Sequence, residues 1–258
     1  MPDTVPIMSA AETSVQPGVS VVLPCYNEVD NIVPLVHALK AQLPAAHEIL
    51  VMDDNSPDGT ARRVRDAFAG DASVHVHVRM TDRGLANSIA DGIRRCRGEL
   101  IIVMDSDFNH DPDIVGNLLA HSPSADVVIG SRFLPGGGMA SHWRYYCSWV
   151  YSACLVRPIL RTCVRDGLCG YYLIHRDKLL ALPLDEICYG YGDYFFRLLW
   201  HLRQRRYRVV EVPVFYRPRL GGKSKSNLPR LLLSYTWELI KIPLTARASE
   251  PADEAQHA

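Results

Sequence analysis

At 258 residues, with 48% apolar and 22% charged residues, the chain has ordinary globular values and the length for one domain plus an appendage. Its 28 Lys and Arg balance 28 Asp and Glu, so bulk charge predicts no nucleic-acid partner. The seven cysteines are odd in number and include no C-x-x-C pair, which argues against a disulfide framework or zinc site and fits a reducing cytosol.

In chain order, residues 1–17 form a polar, small-residue tail without the basic-then-apolar order of a signal peptide. Ser20 to Pro24 reads as a strand, and Ile32, Leu35, Val36 and Leu39 repeat at helical spacing in a helix from about Asp30 to Gln42. His47 to Met52 is a second strand, followed by a helix from about Gly59 to Phe68 and an alternating strand from Ser73 to Val78. A helix over Ala86–Cys96 leads into Leu100-Ile101-Ile102-Val103-Met104, too short for a helix and suited to a strand buried on both faces. Ala125 to Ile129 is a further strand. This repeated order predicts an α/β fold, a mostly parallel twisted sheet with helices on both faces.

The second half is less regular. Arg144 to Leu160 is an aromatic-rich helical stretch, and Val209 to Val214 is a strand whose Pro213 points to an edge or an end. Leu228 to Leu244 is a helix with a broad apolar face. The expected organisation is a domain over 18–226, an amphipathic helix over 227–246 and a tail over 247–258. Between His201 and Thr245, ten Lys or Arg stand against Glu211 and Glu238, a composition suited to phosphates or anionic lipid heads. No window reaches the roughly 18 uncharged apolar residues of a spanning helix, so a soluble or peripheral protein is expected.

The strand ending at Met104 delivers Asp105-Ser106-Asp107. Ligands of open α/β sheets bind at the carboxyl ends of the strands, and carboxylates at i and i+2 can point together into that crevice. Two close anions favour a cation between them, and oxygen ligands suit Mg²⁺ or Mn²⁺ completed by substrate phosphate. Alone, Asp-x-Asp after a strand is more often turn chemistry than a metal site. Three more strand ends carry polar loops, however: Pro24-Cys25-Tyr26-Asn27-Glu28, Asp53-Asp54-Asn55-Ser56-Pro57-Asp58-Gly59-Thr60, and Gly130-Ser131-Arg132-Phe133. In a doubly wound sheet all four share one rim. A nicotinamide dehydrogenase is set aside, because Cys25-Tyr26-Asn27-Glu28 stands where G-x-G-x-x-G would follow the first strand.

These motifs, with Glu211-Val212-Pro213 and Arg219 through Ser224-Lys225, resemble the family-2 inverting glycosyltransferases of GT-A fold, nearest the dolichol-phosphate mannose synthase branch, over roughly Ser20 to Leu244. The resemblance implies a nucleoside cradle of Pro24, Tyr26 and Glu28, with Val51 and Asp53 holding the base. It implies Asp105, Asp107 and Asn109 as ligands of Mg²⁺ or Mn²⁺, with Ser106 beside the donor and Asp107 and Arg132 in catalysis. Arg132, Arg219 and Lys225 are expected on phosphates, with Arg217 competing beside Arg219. Leu220 to Lys225 reads as a Gly-hinged basic loop able to close over the diphosphate. Asp54 is read as a structural cap of the turn before Gly59, and His110 as an exposed loop residue within reach of the metal.

The donor expected from the resemblance is GDP-mannose, with a UDP-hexose as the other possibility, and the acceptor a polyprenyl or dolichyl phosphate. A lipid phosphate is already anionic and needs no general base, whereas a sugar hydroxyl does. Asp193, in Gly190-Tyr191-Gly192-Asp193, is therefore open between a base and a helix N-cap. Leu168 and Tyr172 stand where the family usually has Thr and Arg or Lys, which removes polar groups from the acceptor side. Tyr145 to Val156 and Leu228 to Leu244 suit a membrane interface, with Arg144, Arg157, Arg230 and Lys241 at its polar edge. The expected location is cytoplasmic, peripheral on the cytoplasmic face of a membrane or held there by a membrane partner. A catalytically silent nucleotide-binding or scaffold protein is the remaining alternative.

Overall fold

The computed structural model describes residues 16–218 and 228–248, with side chains over 16–218 and 232–244. Among these residues, strands β1 (Val19–Cys25), β2 (His47–Asp53), β3 (Val74–Val78), β4 (Leu100–Val103) and β5 (Val127–Ser131) fall where the apolar runs predict them. Helices α1 (Ile32–Gln42), α2 (Thr60–Ala67), α3 (Leu85–Arg95) and α4 (Val115–His121) fill the gaps. A short β6 (Gly138–Met139) precedes α5 (His142–Tyr151), which runs through a π-helical turn at Ser152–Val156 into α6 (Arg157–Leu160). Then come β7 (Tyr172–His175), α7 (Arg176–Leu180), α8 (Leu184–Ile187), α9 (Tyr194–Gln204), β8 (Val209–Pro213), β9 (Phe215–Tyr216) and α10 (Leu228–Ala248).

The main sheet has the order β3-β2-β1-β4-β7-β5-β8. The chain winds outward from β1 through β2 to β3, then returns to the other side of β1 as β4, so the switch point lies between β1 and β4. One strand breaks the parallel order. β7 is inserted antiparallel between β4 and β5, and the β-then-α alternation gave no sign of it because its chain enters from the carboxyl rim. Its consequence is functional, since the turn before β7 now joins the rim loops. β8 is the sheet edge and Pro213 is its last residue, the position a proline without a ladder donor can occupy.

Strand side chains alternate between two cores, as a period of two requires. Val21, Leu23, Ile49, Val51 and Ile102 pack under α1, α2 and α4, while Val22, Leu50, Met52, Ile101 and Val103 pack against α3 and α9. Helix α3 lies so close to β1 that a Cβ on Gly92 would meet Val22 Cγ1 at 2.5 Å. Tyr235, Leu239 and Ile242 of α10 enter the same core as Tyr151, Val156 and Leu160 of the α5–α6 stretch. Among the described residues no helix is long and apolar enough to cross a membrane.

Candidate active site

The rim is assembled by side chains that satisfy the backbone of neighbouring loops. After β1 the chain turns through Asn27, whose φ of 57° suits an asparagine. Its amide donates to Ser56 Oγ (2.9 Å), that of Glu28 to Thr60 Oγ1 (3.0 Å) and that of Val29 to Asp58 Oδ2 (3.2 Å). The Ser-Pro-Asp-Gly-Thr run is thus the scaffold of the Tyr26–Glu28 loop. Pro24 is buried, Tyr26 is open to solvent and Glu28 is half-buried, accepting from Asn31 Nδ2 (2.7 Å). The guanidinium of Arg83 lies 5.1 Å from the Tyr26 ring centroid.

Asp53 ends β2 almost wholly buried and accepts from both the amide and the hydroxyl of Ser56. Each carboxylate oxygen has a further lone pair to offer a base N–H. Val51 has no exposed surface; its side chain is part of the core beneath Asp53 and forms no open wall. Asp54 is structural, but differently from the expected cap. It pairs with buried Arg79 and accepts the Gly84 amide (2.6 Å), while Asp58 caps Thr60 through its amide and hydroxyl.

Beyond β4, Ser106 Oγ donates to Pro24 O (2.8 Å) and ties the Asp-Ser-Asp loop to the loop after β1. The Asp105 side chain is 45% exposed, whereas Asp107 is buried and accepts from the Asn109 amide and Nδ2, both at 3.0 Å. With its Nδ2 on Asp107, Asn109 has Oδ1 as its ligating atom. Among the described residues no three of His, Cys, Asp and Glu converge. The donor set of two carboxylates and an amide oxygen fits a hard cation whose other ligands are water and phosphate, and does not fit an all-protein cage.

His110 is buried, against the expectation of an exposed loop residue. Its Nδ1 accepts the Asp105 amide (2.8 Å), so the proton sits on Nε2 and is donated to Cys169 O (3.1 Å). It stacks on Tyr171 at 4.8 Å, and Tyr216 Oη lies 2.7 Å from Nε2. Burial, only partly offset by Asp107, pulls its pKa down to about 4. His110 is a neutral brace under the carboxylate loop.

The cations need the largest correction. Arg132 was expected on phosphate, but its fork is taken by Asp166: Nε and Nη2 each donate at 2.7 Å, and its amide at 2.9 Å. Burial opposes the charge, yet Asp166 outweighs it and holds the guanidinium above its ordinary pKa. Asp166 sits in the turn entering antiparallel β7. That turn is fixed by Glu211, which accepts the amides of Arg165 and Asp166 (3.0 and 3.1 Å), and by Ser152, whose Oγ donates to Arg165 O and accepts the Gly167 amide. Glu211 and Asp166 carry no assigned role in the sequence reading; along the chain Asp166 lies 34 residues from Arg132 and 45 from Glu211.

Arg217, the competitor for phosphate, pairs with Asp111 at 2.6 Å. Arg219, Lys225 and the basic loop over 219–227 lie outside the described residues. Asp193 is neither a side-chain cap nor an unengaged base. Its Oδ1 accepts the Tyr191 amide (2.8 Å) and its Oδ2 pairs with Arg197 (2.8 Å), although it does occupy the N-cap position of α9.

An open, switch-point α/β sheet carrying a carboxylate pair at its carboxyl rim defines a class, and solved structures identify it. Glucosyl-3-phosphoglycerate synthase of Mycobacterium tuberculosis in complex with Mn²⁺ and UDP-glucose superposes with a TM-score of 0.67 at 18% identity, over 92% of this chain and 81% of that one. The same enzyme with Mg²⁺ and UDP gives 0.66 at 20% identity over the same shares. The fold is that of the GT-A glycosyltransferases.

Sequence relatives narrow it further. Residues 20–178 match the description Glycosyl transferase family 2. An undecaprenyl-phosphate mannosyltransferase of Micrococcus luteus is 35% identical, over 86% of this chain and 97% of that protein. A polyprenol monophosphomannose synthase of Mycolicibacterium smegmatis is 32% identical over 80% of each chain. A dolichol-phosphate mannosyltransferase of Saccharomyces cerevisiae is 29% identical over 85% of each. The chain belongs to glycosyl transferase family 2 and is a glycosyltransferase.

Proposed function

We propose that the protein transfers mannose, with inversion, from GDP-mannose to a polyprenyl phosphate in the presence of Mg²⁺ or Mn²⁺. The observation that carries the reading is the Asp105–Asp107 loop at the switch point of a chain that shares 35% identity with an undecaprenyl-phosphate mannosyltransferase over nearly all of that protein. Tyr26, Glu28 and Asp53 would hold the nucleoside, and Asp105, Asp107 and Asn109 the cation. When bound, that cation stabilises the negative charge of the departing diphosphate. Arg219 and Lys225 add counter-charge from the basic loop, and Arg132 acts from beneath by holding Asp166.

An acceptor phosphate arrives as an anion and needs only to be positioned on the face opposite the leaving group. The engagement of Asp193 supports this over attack by a sugar hydroxyl, because a general base needs a carboxylate oxygen aimed at the proton it takes and both oxygens of Asp193 already accept hydrogen bonds within the protein, from the Tyr191 amide and Arg197. The test incubates purified protein with radiolabelled GDP-mannose, UDP-glucose or UDP-N-acetylglucosamine and polyprenyl phosphate, with Mn²⁺ or with chelator. Metal-dependent label in the organic phase from GDP-mannose is expected. Turnover of the donor without labelled lipid would move the reading to a hydroxyl acceptor.

A further inference from the structure

The inner face of α10 carries Tyr235, Glu238, Leu239 and Ile242, all buried. Glu238 is fully engaged there, accepting from Arg197 (2.7 Å) and from Tyr189 Oη (2.6 Å). Tyr235, one turn earlier, is different. Its ring is 8% exposed and stands edge-on to Phe196 with the centroids 5.3 Å apart. Among the described residues, however, its hydroxyl makes no hydrogen bond. A phenol that takes its ring into a core usually has a partner for its O–H, so this one is held ready for a group the protein does not supply.

A glycine keeps the space in front of that hydroxyl. A Cβ on Gly192 would lie 2.1 Å from Tyr235 Oη and 3.2 Å from Cζ. Gly190 has a φ of 76° and needs glycine for its backbone, but Gly192 has no positive φ, so only the approach of Tyr235 forbids a side chain there. The seat lies at the rim. Burial first, then the neighbouring Tyr191, Asp193 and Asp105, push the pKa of the phenol upward, so it is a neutral, protonated donor between the Asp193 loop and the Asp105 loop.

What meets this hydroxyl must offer an oxygen and bring no negative charge. Asp193 and Asp105 are anionic neighbours, and Arg197 is already spent on Asp193 and Glu238, so a phosphate gains nothing there. A sugar hydroxyl does gain. In the sheet, β4 has β1 on one side and β7 on the other. The nucleoside candidates Tyr26, Glu28 and Asp53 follow β1 and β2. The Gly190–Asp193 loop leads into α9, whose Phe195 stacks on Tyr172 of β7 at 5.8 Å. A diphosphate at Asp105–Asp107 with its nucleoside on the β1 side therefore turns its hexose toward the β7 side and the Tyr235 hydroxyl. We propose that Tyr235 donates a hydrogen bond to a hydroxyl oxygen of the transferred hexose and so helps to select the sugar; the inference rests on the nucleotide-sugar reading of the Asp105–Asp107 site. A site with a donor built for one substrate hydroxyl rejects the sugar that lacks it, because the donor is then left unpaired.

The experiment compares the full-length protein with Tyr235→Phe, which removes the oxygen and keeps the ring on Phe196, using GDP-mannose and its monodeoxy analogues. The variant should show kcat/KM for GDP-mannose lowered about tenfold, with the Kd for GDP and Mn²⁺, the KM for prenyl phosphate and the melting temperature unchanged. One deoxy analogue should cost the wild type about tenfold while the variant uses it as well as GDP-mannose, since the same hydrogen bond is missing in both cases. Calorimetric binding of the intact donor relative to its nucleoside diphosphate gives the same comparison without turnover. An unchanged kcat/KM in the variant, a loss confined to the KM for prenyl phosphate, an equal loss in the binding of GDP alone, or discrimination among the deoxy analogues identical to that of the wild type overturns the proposal. If the wild type uses UDP-glucose instead, the mannose reading falls and Tyr235 is judged by the same ratios on the deoxyglucose series, so the two failures are told apart.

Discussion

Arg132 and Asp166 meet through two parallel hydrogen bonds of 2.7 Å where the arginine side chain is 4% exposed and the aspartate not at all. A fork so placed organises the rim from within. Removing one partner strands the other charge in the interior, which costs about 3–5 kcal/mol. Asp166→Ala should therefore lower the melting temperature by about 10 °C for a chain of this size. Arg132→Met combined with Asp166→Leu should recover much of that loss without restoring activity, since the turn before β7, although still held by Glu211 and Ser152, is no longer tied to the Arg132 loop. Thermal unfolding and donor turnover on the three variants check both parts.

Glu238 gives a pH signature to the seating of α10. Burial pushes its carboxyl upward, but the hydrogen bonds from Tyr189 and Arg197 outweigh that and hold it below the ordinary 4.5. The unfolded chain therefore binds the proton more readily, and the stability from this group is present above about pH 4.5 and lost as pH falls through the lower folded value. Glu238→Gln should be less stable than wild type at neutral pH and show a shallower loss on acidification. Denaturant titrations at about pH 7 and about pH 4 measure the difference.

The sheet was legible because its strands are short apolar runs bounded by helices with period-3.6 patterning, as Ile32, Leu35, Val36 and Leu39 illustrate. β7 was not, since Tyr172 to His175 is only four residues long and follows α6 through an irregular stretch over 161–171 that carries no signal of an antiparallel entry. At the site, the carboxylates could be found because Asp105 and Asp107 are two residues apart. The partners of Arg132, Arg197 and Arg217 could not, because an arginine looks the same in sequence whether it faces a phosphate or a buried carboxylate. Only the fold brings Asp166 to Arg132, and only α10 brings Glu238 to Arg197.

Asp107 tests the cation site. Its carboxylate is buried and carries the Asn109 amide, so Asp107→Asn keeps the volume while removing the charge a divalent ion requires. Donor turnover should fall by about 10²-fold or more, as chelator should make the wild type fall. Titration of Mn²⁺ into the variant in the presence of nucleoside diphosphate should show weakened metal binding with the melting temperature little changed. Unaltered metal dependence in this variant would remove Asp107 from the ligand set.

Asp193 decides between the two acceptors. A carboxylate acting as general base toward a sugar hydroxyl contributes about 10²- to 10⁴-fold to the rate, and its loss shows in kcat with a changed pH profile. In the structure that carboxylate is engaged by Arg197 and the Tyr191 amide, and Arg197 in turn reaches Glu238 on α10. Asp193→Asn keeps the acceptor for the Tyr191 amide and weakens the ion pair. The expected outcome is a loss of less than about tenfold in kcat, an acid limb of the pH–rate profile that does not move, and a lowered melting temperature. Arg197→Lys, which keeps the charge but loses the fork, should reproduce the same stability loss without touching the pH profile. A drop of several orders of magnitude in kcat for Asp193→Asn alone, at unchanged donor affinity, would instead make this residue the base and the acceptor a hydroxyl.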